Sequence, residues 1–266
     1  ARLLELFRGH TKVLVAYSGG IDSAFVLHAA RTALGKAAVL AVTAVSPAVP
    51  GRERETAEQV AAELDARHRF VDSQELQREG YRQNGPDRCF HCKTELYGIL
   101  NHLADSEGAD LIVNGANLDD TGDHRPGMRA AAYTGVRSPL IEARFRKAEI
   151  REMARRLGIR VWDKPASPCL SSRIPYNQAV TSKKLGQVEA AEELLHSMGL
   201  RDFRVRHHGN LARIEARSED MSLLIERREN IHAAFRRLGF TYTSLDLGGF
   251  QSGSLNRELP ASESRS

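Results

Sequence analysis

Short apolar runs alternate with helical patterns over the first two thirds of this 266-residue chain. Val13–Tyr17, Ala38–Val42, Arg69–Val71, Leu111–Val113 and Ile159–Val161 read as strands. Their near-continuous apolar character suits strands buried on both faces. Helical stretches lie between them, near 22–34, 52–66, 89–105 and 147–157, with Gly35 and Gly158 placed where helices stop. Strand–helix alternation predicts an α/β fold with a doubly wound parallel sheet. The pattern changes after the Pro-rich segment Lys164-Pro-Ala-Ser-Pro-Cys-Leu-Ser-Ser-Arg-Ile-Pro175. A helix follows from about Ser182 to Ser197, then alternating segments Phe203–His208 and Leu211–Ala216 joined at Gly209-Asn210, a hairpin signal. A long helix over about 219–238 and a strand over about 241–246 complete an αββαβ order, which predicts a small C-terminal α+β domain. The implied division is 1–164, a connecting loop 165–181, a small domain 182–257 and a loose polar tail 258–266.

Composition narrows the class. A 41% hydrophobic content is enough for one good core and a smaller second one. The net charge of +4 suits anionic small molecules, and no Lys/Arg run of the nucleic-acid-arm type occurs. No apolar stretch reaches the roughly 18 to 20 residues of a membrane helix. The opening Ala1-Arg-Leu-Leu-Glu-Leu-Phe-Arg8 is too short and charged for a signal peptide, and without Met it implies missing N-terminal residues. An odd set of 3 cysteines argues against a secreted disulfide scaffold and for a cytoplasmic protein with free or metal-bound thiols.

The first chemical motif runs from a buried strand into a helix: Ser18-Gly-Gly-Ile-Asp-Ser23. Gly19 and Gly20 allow a tight turn, the helix offers amides and its positive dipole end, and Ser18 and Ser23 add hydroxyls. The loop is neither the Walker A type nor G-x-G-x-x-G. It resembles the PP-loop of N-type ATP pyrophosphatases, and the resemblance implies cleavage of ATP between its α and β phosphates. Asp22 is a candidate Mg²⁺ holder or a helix N-terminal acid. A second cluster, Asn114-Gly-Ala-Asn-Leu-Asp-Asp-Thr-Gly-Asp123, falls at a strand's carboxyl end. There Gly115 could admit the nucleotide to the backbone and Asp119 or Asp120 could bind metal, unless the segment is simply an Asx-rich loop.

All cysteines fall in two motifs, Asp87-Arg-Cys-Phe-His-Cys-Lys93 and Ser167-Pro-Cys-Leu-Ser-Ser-Arg173. Arg88 and Lys93 would favour thiolates at Cys89 and Cys92, and Cys169, in a loop after the last expected strand, could reach the same edge. Structural zinc with His91 as a fourth ligand, a redox dithiol, a 4Fe–4S cluster with one open iron, and no shared centre all remain readings.

Taken together, Ser18–Ser23, Arg88–Lys93, Arg125-Pro-Gly-Met-Arg129, Ser138-Pro-Leu140 and Trp162–Tyr176 resemble the LarE family. The hairpin pieces Arg204-Val-Arg206 and Ala212-Arg-Ile-Glu215, with Leu245–Ser254, fit as well, so the similarity spans essentially the whole chain. The family implies a sulfur transferase that adenylates the carboxylates of a pyridinium-3,5-dicarboxylate mononucleotide with ATP and replaces them by thiocarboxylates. That product is a precursor of the nickel-pincer cofactor of lactate racemase. One family variant sacrifices the sulfur of a single cysteine at the position of Cys169. The other, which Cys89 and Cys92 match, holds a 4Fe–4S cluster on three thiolates, with sulfide on the open iron. Departures are small: Asn177 stands where Gly is commoner and Asn114 where Asp is. The resemblance also implies a homo-oligomer, a hexamer.

Acyl adenylation turns a poor electrophile into one with a good leaving group, ready for a soft sulfur nucleophile. Arg204 and Arg206 alternate on one strand and leave the same face, so with Arg173 they could clamp the substrate's 5′-phosphate. A PP-loop tRNA thiolase is the main rival; 6% aromatics and a mixed-charge last helix speak against its RNA surface. An amidotransferase-type ligase would need an ammonia source, and a non-catalytic nucleotide-binding module would not turn ATP over.

Overall fold

The computed structural model describes residues 2–122, 126–165, 167–251 and 255. Asp123, Arg125, Ala166, Ser252 to Ser254 and the tail from 258, all part of motifs or segments read above, lie outside the described residues.

A single turn α1 (Arg2–Glu5) leads into β1 (Val13–Ala16), α2 (Ile21–Leu34), β2 (Val39–Val45), α3 (Gly51–Glu63) and β3 (Arg67–Asp72). After one turn α4 (Glu79–Arg82) come α5 (Arg88–Glu107) and β4 (Leu111–Val113). The order β3-β2-β1-β4 is parallel throughout, with Val13 opposite both Val39 and Leu111. The chain therefore winds outward from β1 and then returns to its other side. At that reversal the carboxyl ends of β1 and β4 open a crevice, the usual ligand position of such sheets. β1 is apolar on both faces because one face packs under α2 and α3 and the other under α5. β3 is the edge strand, with Arg69 and Phe70 exposed, so the double-sided burial expected of it does not hold there.

Ile159–Val161, expected to be a fifth strand, is a turn. Gly158 takes φ 71°, Ile159 N bonds Ala154 O at 2.9 Å, and the two apolar side chains plug the core beneath the helix end. A Schellman-type C-cap thus accounts for the apolar alternation without any strand. Beside β4, among the described residues, the sheet gains one isolated bridge, Val113 to Arg137. Two helices here were not anticipated, α6 (Pro126–Thr134) and the single turn α7 (Pro139–Glu142), while α8 (Lys147–Arg156) falls where a helix was expected.

Beyond the cysteine loop, α9 (Ser182–Ser197) precedes the antiparallel hairpin β5 (Phe203–His208) and β6 (Leu211–Ala216), turned at Gly209 with φ 68°. α10 (Met221–Glu226) and α11 (Arg228–Arg237) replace the one long helix expected, because the chain leaves helical dihedrals at Arg227 (φ -91°, ψ 9°). β7 (Tyr242–Leu245) pairs parallel to β6. This three-stranded sheet has its own core, built from Leu195, Phe203, Val205, Ile214, Ile231 and Phe235 among others. Among the described residues, no helix is long and apolar enough to cross a membrane.

Candidate active site

The loop between β1 and α2 lies at the reversal crevice. Gly19 takes φ 73°, and a Cβ there would sit 2.7 Å from Ala57 Cα of α3, so glycine is required twice over. The Ser18 and Ser23 hydroxyls are 3.1 Å apart, and Ser23 Oγ accepts from Ser18 N at 3.1 Å and donates to Gly20 O at 3.0 Å. Gly20 is the N-cap of α2 and brings no side chain to the first helical amides, which point at the crevice for an anion.

Gly115 faces this loop from the end of β4. A Cβ on it would lie 2.7 Å from Ser23 N, so the space before Gly115 is filled by the first turn of α2. Close approach of two backbones explains the glycine. Asp22 forms an ion pair with Lys147 at the start of α8 and accepts from Asn117 Nδ2 at 3.5 Å. Asp119 holds the same helix start: it accepts from Lys147 N at 2.7 Å and from Arg146 Nη1 at 2.9 Å. These bonds, the Lys147 amide foremost, keep its carboxyl below the usual range. Asp120 accepts from Asn117 N at 3.0 Å. Asp119 thus ties the loop to the start of α8, and Asp120 bonds back within the loop to Asn117.

Cys89 and Cys92 stand on the first turn of α5, and Cys169 opens a short 3-10 turn, Leu170–Arg173. All three are free thiols. Cys92 and Cys169 pack into one apolar cluster with Ala48, Leu76, Tyr81 and Leu170. Polar links hold the two motifs together. Arg88 Nη1 donates to Ser171 O at 2.9 Å and to Asn84 Oδ1. Asn84, at φ 59°, donates to Ile174 O and Pro175 O at 3.2 and 2.7 Å. Tyr81 Oη and Ser171 Oγ are 2.6 Å apart. Burial pushes the Cys92 thiol up to about 12; Lys93 opposes this, while Cys169, Glu75 and Cys89 add to it. Burial works against the Lys93 ammonium, but Tyr97 and the three cysteines outweigh it and its pKa rises. The three sulfurs, Lys93 and Arg88 thus share one electrostatic neighbourhood. His91 is turned away, its Nε2 3.1 Å from Asp87 Oδ2. Among the described residues, no three Cys, His, Asp or Glu side chains stand as a ready metal site.

The three arginines converge on the far side of the cysteine loop. Arg173 makes a buried two-pronged pair with Glu192, both bonds 3.0 Å, and also donates to Pro168 O and Cys169 O. Arg206 donates to Glu215 at 2.9 Å and to Ser172 O at 2.6 Å. Arg204 donates to Phe203 O at 2.6 Å and lies 5.0 Å over the Phe250 ring. Burial, then the charges of Arg173 and Arg206, lower its pKa to about 10. Arg173 and Arg206 are thus anchored on the buried carboxylates of Glu192 and Glu215, while the charges of Arg173 and Arg206 bear on Arg204. Lys147, Asn84, Tyr81 and Glu75 were not read from the sequence. Only Asn84 carried a local signal, preceding Gly85-Pro86 in a turn.

A Ser-Gly-Gly-x-Asp-Ser loop between strand and helix, at the reversal of a parallel sheet, defines an ATP-using α/β enzyme of the PP-loop type. The model of the NAD synthase family matches residues 7–88. The chain is 42% identical over 259 residues to an uncharacterised protein of Synechocystis sp., covering 97% of this chain and 96% of that one. It is 37% identical, over 97% of its length and 94% of the other, to pyridinium-3,5-bisthiocarboxylic acid mononucleotide synthase of Lactiplantibacillus plantarum. The chain belongs to the family of that synthase, the LarE family. A probable tRNA sulfurtransferase of Methanothermobacter thermautotrophicus is 27% identical over 69% of this chain and 49% of its own.

Proposed function

We propose that the enzyme adenylates the carboxylates of pyridinium-3,5-dicarboxylate mononucleotide and converts them to thiocarboxylates, with Cys89, Cys92 and Cys169 holding a 4Fe–4S cluster. The observation that carries this reading is the convergence of both cysteine motifs on one apolar cluster, tied through Arg88 to Ser171. It stands in a chain alike over nearly its whole length to a synthase of such a thiocarboxylate.

The donor set fits the cluster: three soft thiols, none in a disulfide, beside two cations that offset thiolate charge. When bound, the cluster supplies an iron with an open position for sulfide, a soft nucleophile. The chain's own residues do the rest. The α2 amides, Ser18 and Ser23 bind the ATP phosphates, and Gly19, Gly20 and Gly115 let the loop close on them. Asp22, paired here with Lys147, would hold Mg²⁺, which would supply charge neutralisation to the ATP phosphates; one carboxylate plus phosphate oxygens is an ordinary magnesium set. Arg204 takes the substrate phosphate, with Arg173 and Arg206 fixing the wall behind it. In this reading the enzyme is a cytoplasmic homo-oligomer.

The test is anaerobic purification with iron and acid-labile sulfide analysis, then turnover with ATP and the pyridinium acid. About four irons per chain, lost in Cys→Ala variants at 89, 92 or 169, and AMP formation with a mass gain of sulfur for oxygen support the reading. No iron after reconstitution would point to Cys169 as a sacrificial donor. Thiolation of tRNA instead of the pyridinium acid would overturn the substrate.

A further inference from the structure

Glu75 is a carboxylate buried at 3 % exposure just after the edge strand β3. Among the described residues its hydrogen-bond partners are two hydroxyls: Ser46 Oγ, at 2.5 Å to Oε1, and Ser73 Oγ to Oε2. A buried carboxylate with no cation bonded to it is costly, so a purely structural turn would use a neutral side chain more cheaply. Its connections run in two directions. Ser46 follows the last residue of β2, at the edge where the nucleotide crevice lies. Ser46 Oγ also accepts from Ala48 N at 3.1 Å, and Ala48 O accepts from Leu170 N at 2.9 Å, the residue after Cys169. The neighbouring Leu76 packs into the apolar cluster that contains Cys92 and Cys169. Ser73 N in turn bonds Val45 O at 2.9 Å, closing a ring of contacts around the carboxylate.

We infer that Glu75 is a positioning residue that sets Cys169 at a fixed place relative to the nucleotide edge of the sheet, through Ser46, Ala48 and the Leu170 amide. The inference deepens the proposed sulfur transfer and rests on it. Glu75 touches no substrate; it governs whether the activated carboxylate and the sulfur-bearing edge meet in register.

Three full-length variants, Glu75→Gln, Ser46→Ala and Ser73→Ala, test this against the unaltered enzyme under anaerobic conditions. Pyrophosphate release that depends on the pyridinium acid reports adenylation, and thiocarboxylate formation reports sulfur transfer. For Glu75→Gln the KM for ATP stays within about twofold while thiocarboxylate formed per pyrophosphate falls about 10²-fold, the scale of a small misplacement at a reacting centre. Ser46→Ala shows the same split in weaker form. Ser73→Ala leaves the Ser46–Ala48–Leu170 run intact and keeps the ratio. An unchanged ratio in both Glu75→Gln and Ser46→Ala overturns the inference. Amide exchange gives a readout independent of turnover: the Leu170 amide exchanges roughly tenfold faster in Glu75→Gln, the β1 amides at the original rate. Unchanged Leu170 exchange overturns the inference even if the substrate assignment holds. Absence of pyridinium-dependent pyrophosphate release in the unaltered enzyme sinks the substrate assignment alone, and the exchange result then decides on Glu75.

Discussion

Arg88, one residue before the first cysteine of α5, donates at 2.9 Å to the backbone carbonyl of Ser171, two residues beyond Cys169. The guanidinium is buried at 5 % exposure and the same nitrogen also reaches Asn84 Oδ1. Replacing Arg88 with Ala strips partners from two buried acceptors at once. The expected loss is about 3 kcal/mol of unfolding free energy, measured by urea titration of the cluster-free protein. Iron content of the anaerobic protein should fall with it, since the two cysteine motifs lose their polar link. Stability within experimental error of the unaltered chain would show that Tyr81 and Asn84 suffice.

At Gly115 the expectation is steric. An added Cβ would meet Ser23 N at 2.7 Å and Ser23 Cα at 3.0 Å, both of them backbone. Gly115→Ala should cost about 2 kcal/mol by overpacking and raise the KM for ATP, because the first turn of α2 must move away from the crevice. Calorimetric titration with ATP, alongside a thermal melt, separates the two effects; unchanged ATP affinity would place the nucleotide elsewhere.

The arginines should separate by phenotype. Arg173→Ala leaves Glu192, whose carboxylate otherwise accepts only from Val205 N among the bonds seen, without its cation. Breaking a buried pair on one side costs about 3–5 kcal/mol, so this variant should unfold early in urea. Arg204→Ala removes a bond to the Phe203 carbonyl and a contact with the Phe250 ring, and relieves repulsion from Arg173 and Arg206. It should keep its melting temperature and raise the KM for the mononucleotide by about 10- to 100-fold, the range of one charge-assisted contact. A folded Arg204→Ala enzyme with normal KM would remove Arg204 from phosphate binding.

Histidine 207 makes stability depend on pH. It is buried at 2 % exposure, next to Phe240, and burial, then the Lys184 charge, lowers its pKa from the ordinary 6.5 to about 4. Between those values the unfolded chain carries a proton that the folded one does not. Stability is therefore fully present above 6.5 and is lost as pH falls toward 4, by roughly 3 kcal/mol for this residue. Urea midpoints across that window should fall with acid in the unaltered protein and fall less in His207→Gln. Equal slopes in both would assign the acid lability to other groups.

Much of the architecture is legible in the sequence because its cause is local. β1, β2 and β4 carry apolar residues on both faces, and Ser18–Ser23 presents its whole chemistry contiguously. Ile159–Val161 misleads because a helix cap that buries two side chains writes the same alternation as a strand. Glu75 and Lys147 carry no local signal, and Asn84 only that of a turn, for a different reason. Each acts through a partner distant in sequence: Asn84 through Pro175, Glu75 through Ser46, Lys147 through Asp22. Arg173 and Arg206 show the converse. Their expected roles were readable, Arg206 from the strand face it shares with Arg204 and Arg173 from the cysteine loop, but Glu192 and Glu215, which claim them, sit on other elements.

The links that hold the cysteine loop use hydroxyl, amide, guanidinium and backbone atoms, and none of them passes through a sulfur. The frame and the reagent are thus separately heritable. Replacing a cysteine on this scaffold leaves those polar links in place, so the chemistry carried at the loop can change while the surrounding architecture persists.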